Sequence, residues 1–173
     1  MLKIPAMAAF GALTMLTACA PVVSLHPLVP NDQAAPVDPS YLGLWKECDG
    51  DDFWKVEESG NRAYRYLQLL KDGDRGEVRL MDLEGTRFAD VVPEGGAVRA
   101  HVLARVRLAG DTLYLDFLNE KSASQALRHE TVESGDGSQL VLTASTEELR
   151  KFLLAGRNQQ DVFEQEAAFC RVK

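Results

Sequence analysis

The sequence has little that could support nucleic-acid binding, metal binding or a membrane-spanning helix. Lys and Arg number 19 against 26 Asp and Glu, while His and Cys each occur three times among 173 residues. The formal net charge of −7 excludes the basic surface that binding to nucleic acid requires. The longest apolar run falls short of the roughly 20 residues that cross a bilayer as a helix. We therefore expect no nucleic-acid partner and no spanning helix.

Common catalytic and metal-binding patterns are also missing. There is no Gly-x-Ser-x-Gly, no Ser-x-x-Lys and no Gly-rich phosphate loop, and neither His101 nor His129 has a nucleophile beside it in the sequence. The Asp- and Gly-rich turns fail as calcium loops, because Gly76 is fifth and Glu77 sixth when counted from Asp72, whereas an EF-hand has glycine at the sixth position. We expect no metal, no cofactor and no enzymatic function.

The N-terminus has the three parts of a secretory signal. A single lysine precedes an uncharged run over 4–16, and small residues follow it. The stretch Leu16-Thr17-Ala18-Cys19 resembles the lipobox of bacterial lipoproteins. The resemblance implies that residues 1–18 are removed, that Cys19 is lipidated and, since Ala20 follows, that the protein is anchored at the periplasmic face of the outer membrane. A membrane anchor or a buried helix is the alternative.

Residues 19–39 are predicted to form a tether. Five prolines and little apolar periodicity favour an extended, semi-rigid spacer between a lipid and a globular domain. Ser24-Leu25-His26-Pro27-Leu28 is similar to a short element of uncharacterised bacterial lipoproteins that carry a lipocalin-like domain. His26 has no ligand partner at metal-binding spacing, so we expect it to dock this segment.

Cys48 and Cys170 are the two cysteines that remain if Cys19 is lipidated. An even pair in an oxidising compartment predicts one disulfide, which would stabilise the fold by about 4–5 kcal/mol in the chain-entropy model. A redox dithiol or a metal-binding pair is the alternative, although neither cysteine lies in a Cys-x-x-Cys motif.

Residues 40–173 are predicted to form one all-β domain. Turn residues recur about every ten positions between β-rich runs, which indicates an antiparallel meander. The runs lie at 53–57, 63–70, 77–82, 87–92, 98–108, 112–118, 128–133, 139–144 and 167–172. The pattern opens with Gly43-x-Trp45, which resembles the Gly-x-Trp signature of lipocalins, where the tryptophan plugs one end of the barrel. The resemblance implies a lipocalin-like barrel, closed or half open.

Residue periodicity predicts strand faces and one helix near the C-terminus. Even-numbered residues over 102–108 are apolar and are expected inside, which leaves His101 exposed on the polar face. Ser145-x-x-Glu148 fits a capping box and begins an apolar stripe at helical spacing. The segment 121–127 is expected to be a short helix or a loop.

Whether the interior of the predicted barrel is filled or contains a cavity distinguishes an interaction module from a ligand carrier. The aromatic residues that could either line a cavity or fill a dry core are Trp54, Tyr64, Tyr66, Phe88, Tyr114 and Phe117. We expect a non-enzymatic interaction module of the cell envelope that binds a protein partner. The alternatives are a carrier of a small apolar ligand, such as a lipid or fatty acid, and an envelope enzyme.

Overall fold

The computed structural model describes residues 22–69, 73–95, 99–134 and 137–173, with the backbone alone for 134, 137 and 164–166. The predicted signal peptide, the lipobox and Cys19 lie outside the described residues. The described elements, in chain order, are β1 (Val23–Ser24), β2 (Gly43–Glu47), β3 (Phe53–Gly60), β4 (Ala63–Gln68), β5 (Arg75–Leu83), β6 (Thr86–Pro93), β7 (His101–Ala109), β8 (Thr112–Leu118), α1 (Glu120–Ala126), β9 (His129–Ser134), β10 (Gly137–Leu142), α2 (Thr146–Gly156) and β11 (Phe163–Arg171).

Eight strands form a closed antiparallel barrel. Strands β2 to β8 pair in sequence order, each antiparallel to the next. Strand β11 then pairs with both β8 and β2 and so completes the ring. The predicted antiparallel meander is confirmed, and of the two forms expected the barrel is the closed one.

Three strands extend the sheet beyond the barrel. The two-residue strand β1 is antiparallel to the start of β7 and parallel to β10, which in turn pairs with β9. The hairpin of β9 and β10 matches the runs predicted at 128–133 and 139–144. Strand β1 was not predicted, since two residues carry no readable periodicity.

Both helices begin with a side-chain cap. In α2 the Ser145 hydroxyl accepts the Glu148 backbone N–H at 3.4 Å, and the Glu148 carboxylate accepts the Ser145 backbone N–H at 2.8 Å. The predicted capping box is therefore present. In α1 the Asn119 side chain accepts the Ser122 backbone N–H at 2.9 Å, so 121–127 contains a short helix.

A second hydrophobic core lies outside the barrel wall. Leu149 and Leu153 of α2 are buried against Phe88 and Leu103, which point outward from β6 and β7. The odd-numbered face of β7 was expected to meet water, and that prediction is wrong for its first half. The reason is that α2 and the N-terminal residues cover this part of the wall.

Residues 22–42, which we call the strap, pack along that wall. Leu28 and Val29 are buried, and the Leu28 carbonyl accepts two hydrogen bonds from the Arg150 guanidinium, at 2.9 and 3.1 Å. The Ala35 backbone N–H donates to the Leu80 carbonyl at 2.8 Å. Residues 22–39, predicted to be an extended, semi-rigid spacer, therefore pack against the barrel instead. Prolines fix the backbone without preventing burial of the valines and leucines between them.

Two further predictions concern His26 and the cysteines. The His26 side chain is exposed and only its backbone bonds to Ser24, so the residue that docks the strap is Leu28 and not His26. Cys48 and Cys170 form the predicted disulfide, with an S–S distance of 2.09 Å and a sequence separation of 122. The bond joins the end of β2 to β11.

Candidate ligand cavity

The barrel contains a cavity of about 270 Å³. Each of its fourteen lining residues is aliphatic or aromatic. They are Tyr41, Trp45, Trp54, Val56, Tyr64, Tyr66, Val78, Leu80, Val91, Val106, Leu113, Leu115, Phe117 and Phe169. The interior of the barrel is thus open space with an apolar wall.

Strand alternation places these side chains inside. Leu113, Leu115 and Phe117 of β8 point into the cavity because successive side chains of a strand alternate between its two faces. The same rule places Tyr114 outside, where the Arg107 guanidinium lies 4.0 Å from the centre of its ring. Tyr114 and Phe117 are an odd number of positions apart, so they cannot both face inward along a regular strand.

Four of the six predicted lining residues, Trp54, Tyr64, Tyr66 and Phe117, lie in the cavity wall. Phe88 does not. It is fully buried in the outer core, with its ring 6.2 Å from that of Phe163. The assignments of Phe88 and Tyr114 to the cavity are therefore wrong.

Trp45 lines the cavity next to the strap. It is 1% exposed, and its indole N–H donates to the Tyr41 carbonyl at 3.0 Å. Gly43 has a φ of +124°, and an added Cβ would lie 3.2 Å from the Arg171 guanidinium. The glycine of the Gly43-x-Trp45 motif therefore permits both an unusual backbone angle and the close approach of that arginine.

Arg171 is a residue next to Trp45 that sequence reasoning missed. Its guanidinium lies 4.2 Å from the Trp45 ring and donates to the carbonyls of Leu42, at 2.8 Å, and Ser40. It thus joins β11 to the strap across the tryptophan. A single arginine in a strand carries no motif, so only the three-dimensional register could reveal this role.

A polar network surrounds the end of the cavity next to the strap. Arg87 makes two hydrogen bonds of 2.8 Å with the Asp82 carboxylate and a third, of 3.2 Å, with the Tyr41 hydroxyl. The bonds from Arg87 hold the pKa of Asp82 below its usual range. The Tyr64 hydroxyl accepts the Asp38 backbone N–H at 2.7 Å, and burial raises the pKa of Tyr64. The strap is therefore fixed beneath the barrel.

The other end of the cavity is more open. Trp54 and Tyr66 are only partly buried, and their ring centres are 5.7 Å apart. The Tyr66 ring lies over Gly76, where an added Cβ would be 2.7 Å from the tyrosine hydroxyl. Burial, followed by the charges of Asp74 and Glu94, raises the pKa of Tyr66 to about 12. This tyrosine is neutral at physiological pH.

His101, expected to be exposed, is buried outside the cavity. Its Nδ1 lies 2.6 Å from one oxygen of the buried Asp90 carboxylate, whose other oxygen accepts the Val29 backbone N–H at 3.0 Å. His129 is exposed, with Nδ1 3.0 Å from the Leu127 carbonyl oxygen. Neither histidine lines the cavity.

Two searches of the described residues gave negative results. Neither described helix combines the length and apolar composition needed to cross a membrane. Among the same residues, no group of three or more His, Cys, Asp or Glu is arranged to hold a metal ion. In comparisons with known proteins, no family model, no curated protein and no solved structure matched this chain.

Proposed function

We propose that this protein binds a small apolar ligand inside its barrel and acts without catalysis. The cavity of about 270 Å³ with its apolar and aromatic wall is the observation that carries the proposal. Small-molecule sites are typically concave and lined mainly by apolar and aromatic side chains. Of the alternatives raised by the sequence, a carrier fits this interior best.

The wall favours an apolar occupant over water. A buried water needs two to four hydrogen-bonding partners, and a wall of aliphatic and aromatic side chains offers few of them. An apolar ligand instead gains about 25 cal/mol for each Å² that it removes from water. Because liquid water takes about 30 Å³ per molecule, the cavity has room for roughly nine or ten methylene-sized groups. The ligand is therefore a short chain or a compact ring system.

The lipobox resemblance supplies the setting of this proposal. A lipid on Cys19 would hold the barrel at the periplasmic face of the outer membrane, where apolar molecules are concentrated. Two or three acyl chains are enough for stable anchoring, because each buried methylene contributes about 0.8 kcal/mol. Binding of a ligand by an anchored barrel is the function that we propose for the whole chain.

Binding of an envelope protein is the second candidate function. It is favoured by β9, which pairs with β10 along one edge, while no strand in the described part of the chain pairs with the other. Val132 of this strand is 49% exposed. A partner could add a strand there through main-chain hydrogen bonds. Crosslinking in cells that recovers one dominant protein, and loses it when Val132 is replaced by Pro, would support this function.

Native mass spectrometry of the full chain purified from cells tests the carrier function. We expect a bound small molecule that is released on unfolding. Val91→Phe fills the cavity, and we expect this variant to carry little or no ligand. Val132→Phe adds the same bulk at an exposed site and should retain the ligand. An empty wild-type protein, or equal loading of both variants, would contradict the proposal.

A further inference from the structure

We propose that the ligand is an amphiphile with a positively charged head group, such as an alkylammonium. Its apolar part would fill the barrel, and its head group would lie at the open end. This inference rests on the proposed function, because it names the ligand chemistry of the same cavity.

The two ends of the barrel differ, and only one of them suits the head group of a ligand. At one end, the closed end, the strap packs beneath Tyr41 and Tyr64, and both tyrosines are buried. Strands β4 and β6 end on the opposite side of the barrel, where Gln68 pairs with Trp54 and Pro93 pairs with Gly76. There Trp54 and Tyr66 line the cavity and are partly exposed. A ligand would therefore enter beside these two rings and leave its head group near them.

Aromatic rings around Trp54 favour a cation at this position. The Tyr66 ring lies 5.7 Å from the Trp54 ring, with an interplanar angle of 49°. The Phe169 ring lies 6.3 Å away on an edge-to-face geometry of 84°. The faces of aromatic rings carry partial negative charge and attract ammonium groups, and Trp is the strongest of them. Among the described residues, the cations near this surface are already paired, Arg75 with Glu94 and Lys46 with Asp51.

Carboxylates add to this preference. Asp74 precedes β5 and Glu94 follows β6, and both act electrostatically on the Tyr66 hydroxyl in the cavity wall. Glu94 forms an ion pair with Arg75 at 2.8 Å, whereas no basic side chain of the described residues pairs with the exposed Asp74. The field that opposes ionisation of the tyrosine would attract an ammonium head group and repel a carboxylate. The net charge of the chain, −7, acts in the same direction.

The wall of the cavity also argues against a fatty acid. None of its fourteen lining residues carries a formal charge at neutral pH, so a carboxylate drawn inside would have no cationic partner there. An unpaired charge in such a site is strongly disfavoured. A carboxylate left at the mouth would lie near Asp74 and Glu94, where the described cation, Arg75, is already paired with Glu94. Ligands of equal chain length should therefore differ in affinity according to head-group charge.

Three ten-carbon amphiphiles test the inference: decyltrimethylammonium, decanol and decanoate, each below its micelle concentration. Both tryptophans of the protein line the cavity, so their emission reports binding without a label. The protein is the full chain with Cys19→Ser, which needs no detergent. We expect decyltrimethylammonium to bind about fivefold more tightly than decanol and decanoate to bind more weakly than either, at low salt.

Asp74→Asn should reduce this preference to about twofold, and 1 M salt should do the same, since exposed charges are screened. Glu58→Gln removes an equal charge from an exposed position at the closed end and should leave the preference unchanged. Equal affinities for the three compounds, tighter binding of decanoate, or no effect of Asp74→Asn would overturn the inference while the proposed function stands. Failure of all three to bind would overturn both.

Discussion

Asp90 shows how one buried carboxylate can fix an irregular segment. It is 2% exposed and bonds both to the His101 ring and to the Val29 backbone N–H. A carboxylate is tolerated at such a site only when its oxygens are hydrogen-bonded. Asp90 therefore fixes the middle of the strap to the barrel wall.

Replacing Asp90 by Ala should destabilise the fold. The change leaves the Val29 N–H and the His101 ring without their acceptor, and breaking a buried pair typically costs about 3–5 kcal/mol. We expect a lower free energy of unfolding in urea and faster hydrogen exchange at Val29. Asp32→Ala, at an exposed position of the strap, should change stability by less than about 0.5 kcal/mol. Unchanged exchange at Val29 would contradict this role of Asp90.

Glu148 predicts part of the response to acid. The Ser145 backbone N–H, followed by Arg128, lowers the pKa of this carboxyl from 4.5 to about 2. A group with a lowered folded-state pKa stabilises the protein above its unfolded pKa, and that contribution is lost as the pH falls through its folded pKa. We expect Glu148→Gln to melt at a lower temperature at pH 6 and to lose less between pH 4.5 and 2 than the wild type. Parallel melting curves across that range would exclude this contribution.

Among the elements, β11 has the largest structural role. It closes the barrel by pairing with β8 and β2, and its Arg171 reaches across Trp45 to two carbonyls of the strap. The strand and the strap therefore stabilise each other at the closed end of the cavity.

Arg171→Lys tests this connection. Lysine keeps the charge but lacks the planar fork that stacks on the indole and donates to two acceptors at once. Losing one hydrogen bond from a charged group costs about 1.5–3 kcal/mol. We expect unfolding at lower urea concentration and a red shift of tryptophan emission. Arg75→Lys, at a side chain that is 64% exposed, provides the control and should leave both unchanged.

The strands could be predicted from the sequence, whereas the packing of the strap and α2 on the outside of the barrel could not. Turn residues and β-rich runs located seven of the eight barrel strands, with β11 beginning four residues before the predicted 167, and Gly43-x-Trp45 located β2. Alternation also separates Tyr114 from Phe117. Burial of His101 depends instead on the strap and α2, which lie far from it in sequence. Local periodicity contains no information about such long-range cover.

For the whole molecule, the Cys48–Cys170 disulfide should make a large contribution to stability. It closes a loop of 122 residues, for which the chain-entropy model gives about 4–5 kcal/mol. We expect the double variant Cys48→Ser/Cys170→Ser to unfold at a correspondingly lower urea concentration, with reductant reproducing the effect on the wild type. A non-reducing peptide map of protein purified from cells should recover the linked peptides. Two free thiols in that map would show that the bond does not form in the cell.

Attachment to the membrane is predicted to depend on Cys19. If the lipobox resemblance holds, Cys19→Ser prevents lipidation, and the protein should leave the membrane fraction or remain unprocessed. Cys48→Ser retains Cys19 and should stay with the membrane. Membrane fractionation that is the same for wild type and Cys19→Ser would rule out the lipid anchor.

The closure of the ring by β11 also determines when the protein can fold. Phe169 pairs with Glu47, and Val23 of the strap pairs with Val141. In both pairs the partners are more than a hundred residues apart in the sequence. Contacts this distant in sequence slow folding, because a long loop must close before they form. Until Phe163–Arg171 has been made, β2 and β8 are unpaired edges and the apolar wall of the cavity is exposed. The newly made chain therefore exposes apolar surface and unpaired strand edges until its last strand is available, and these are the features that favour aggregation.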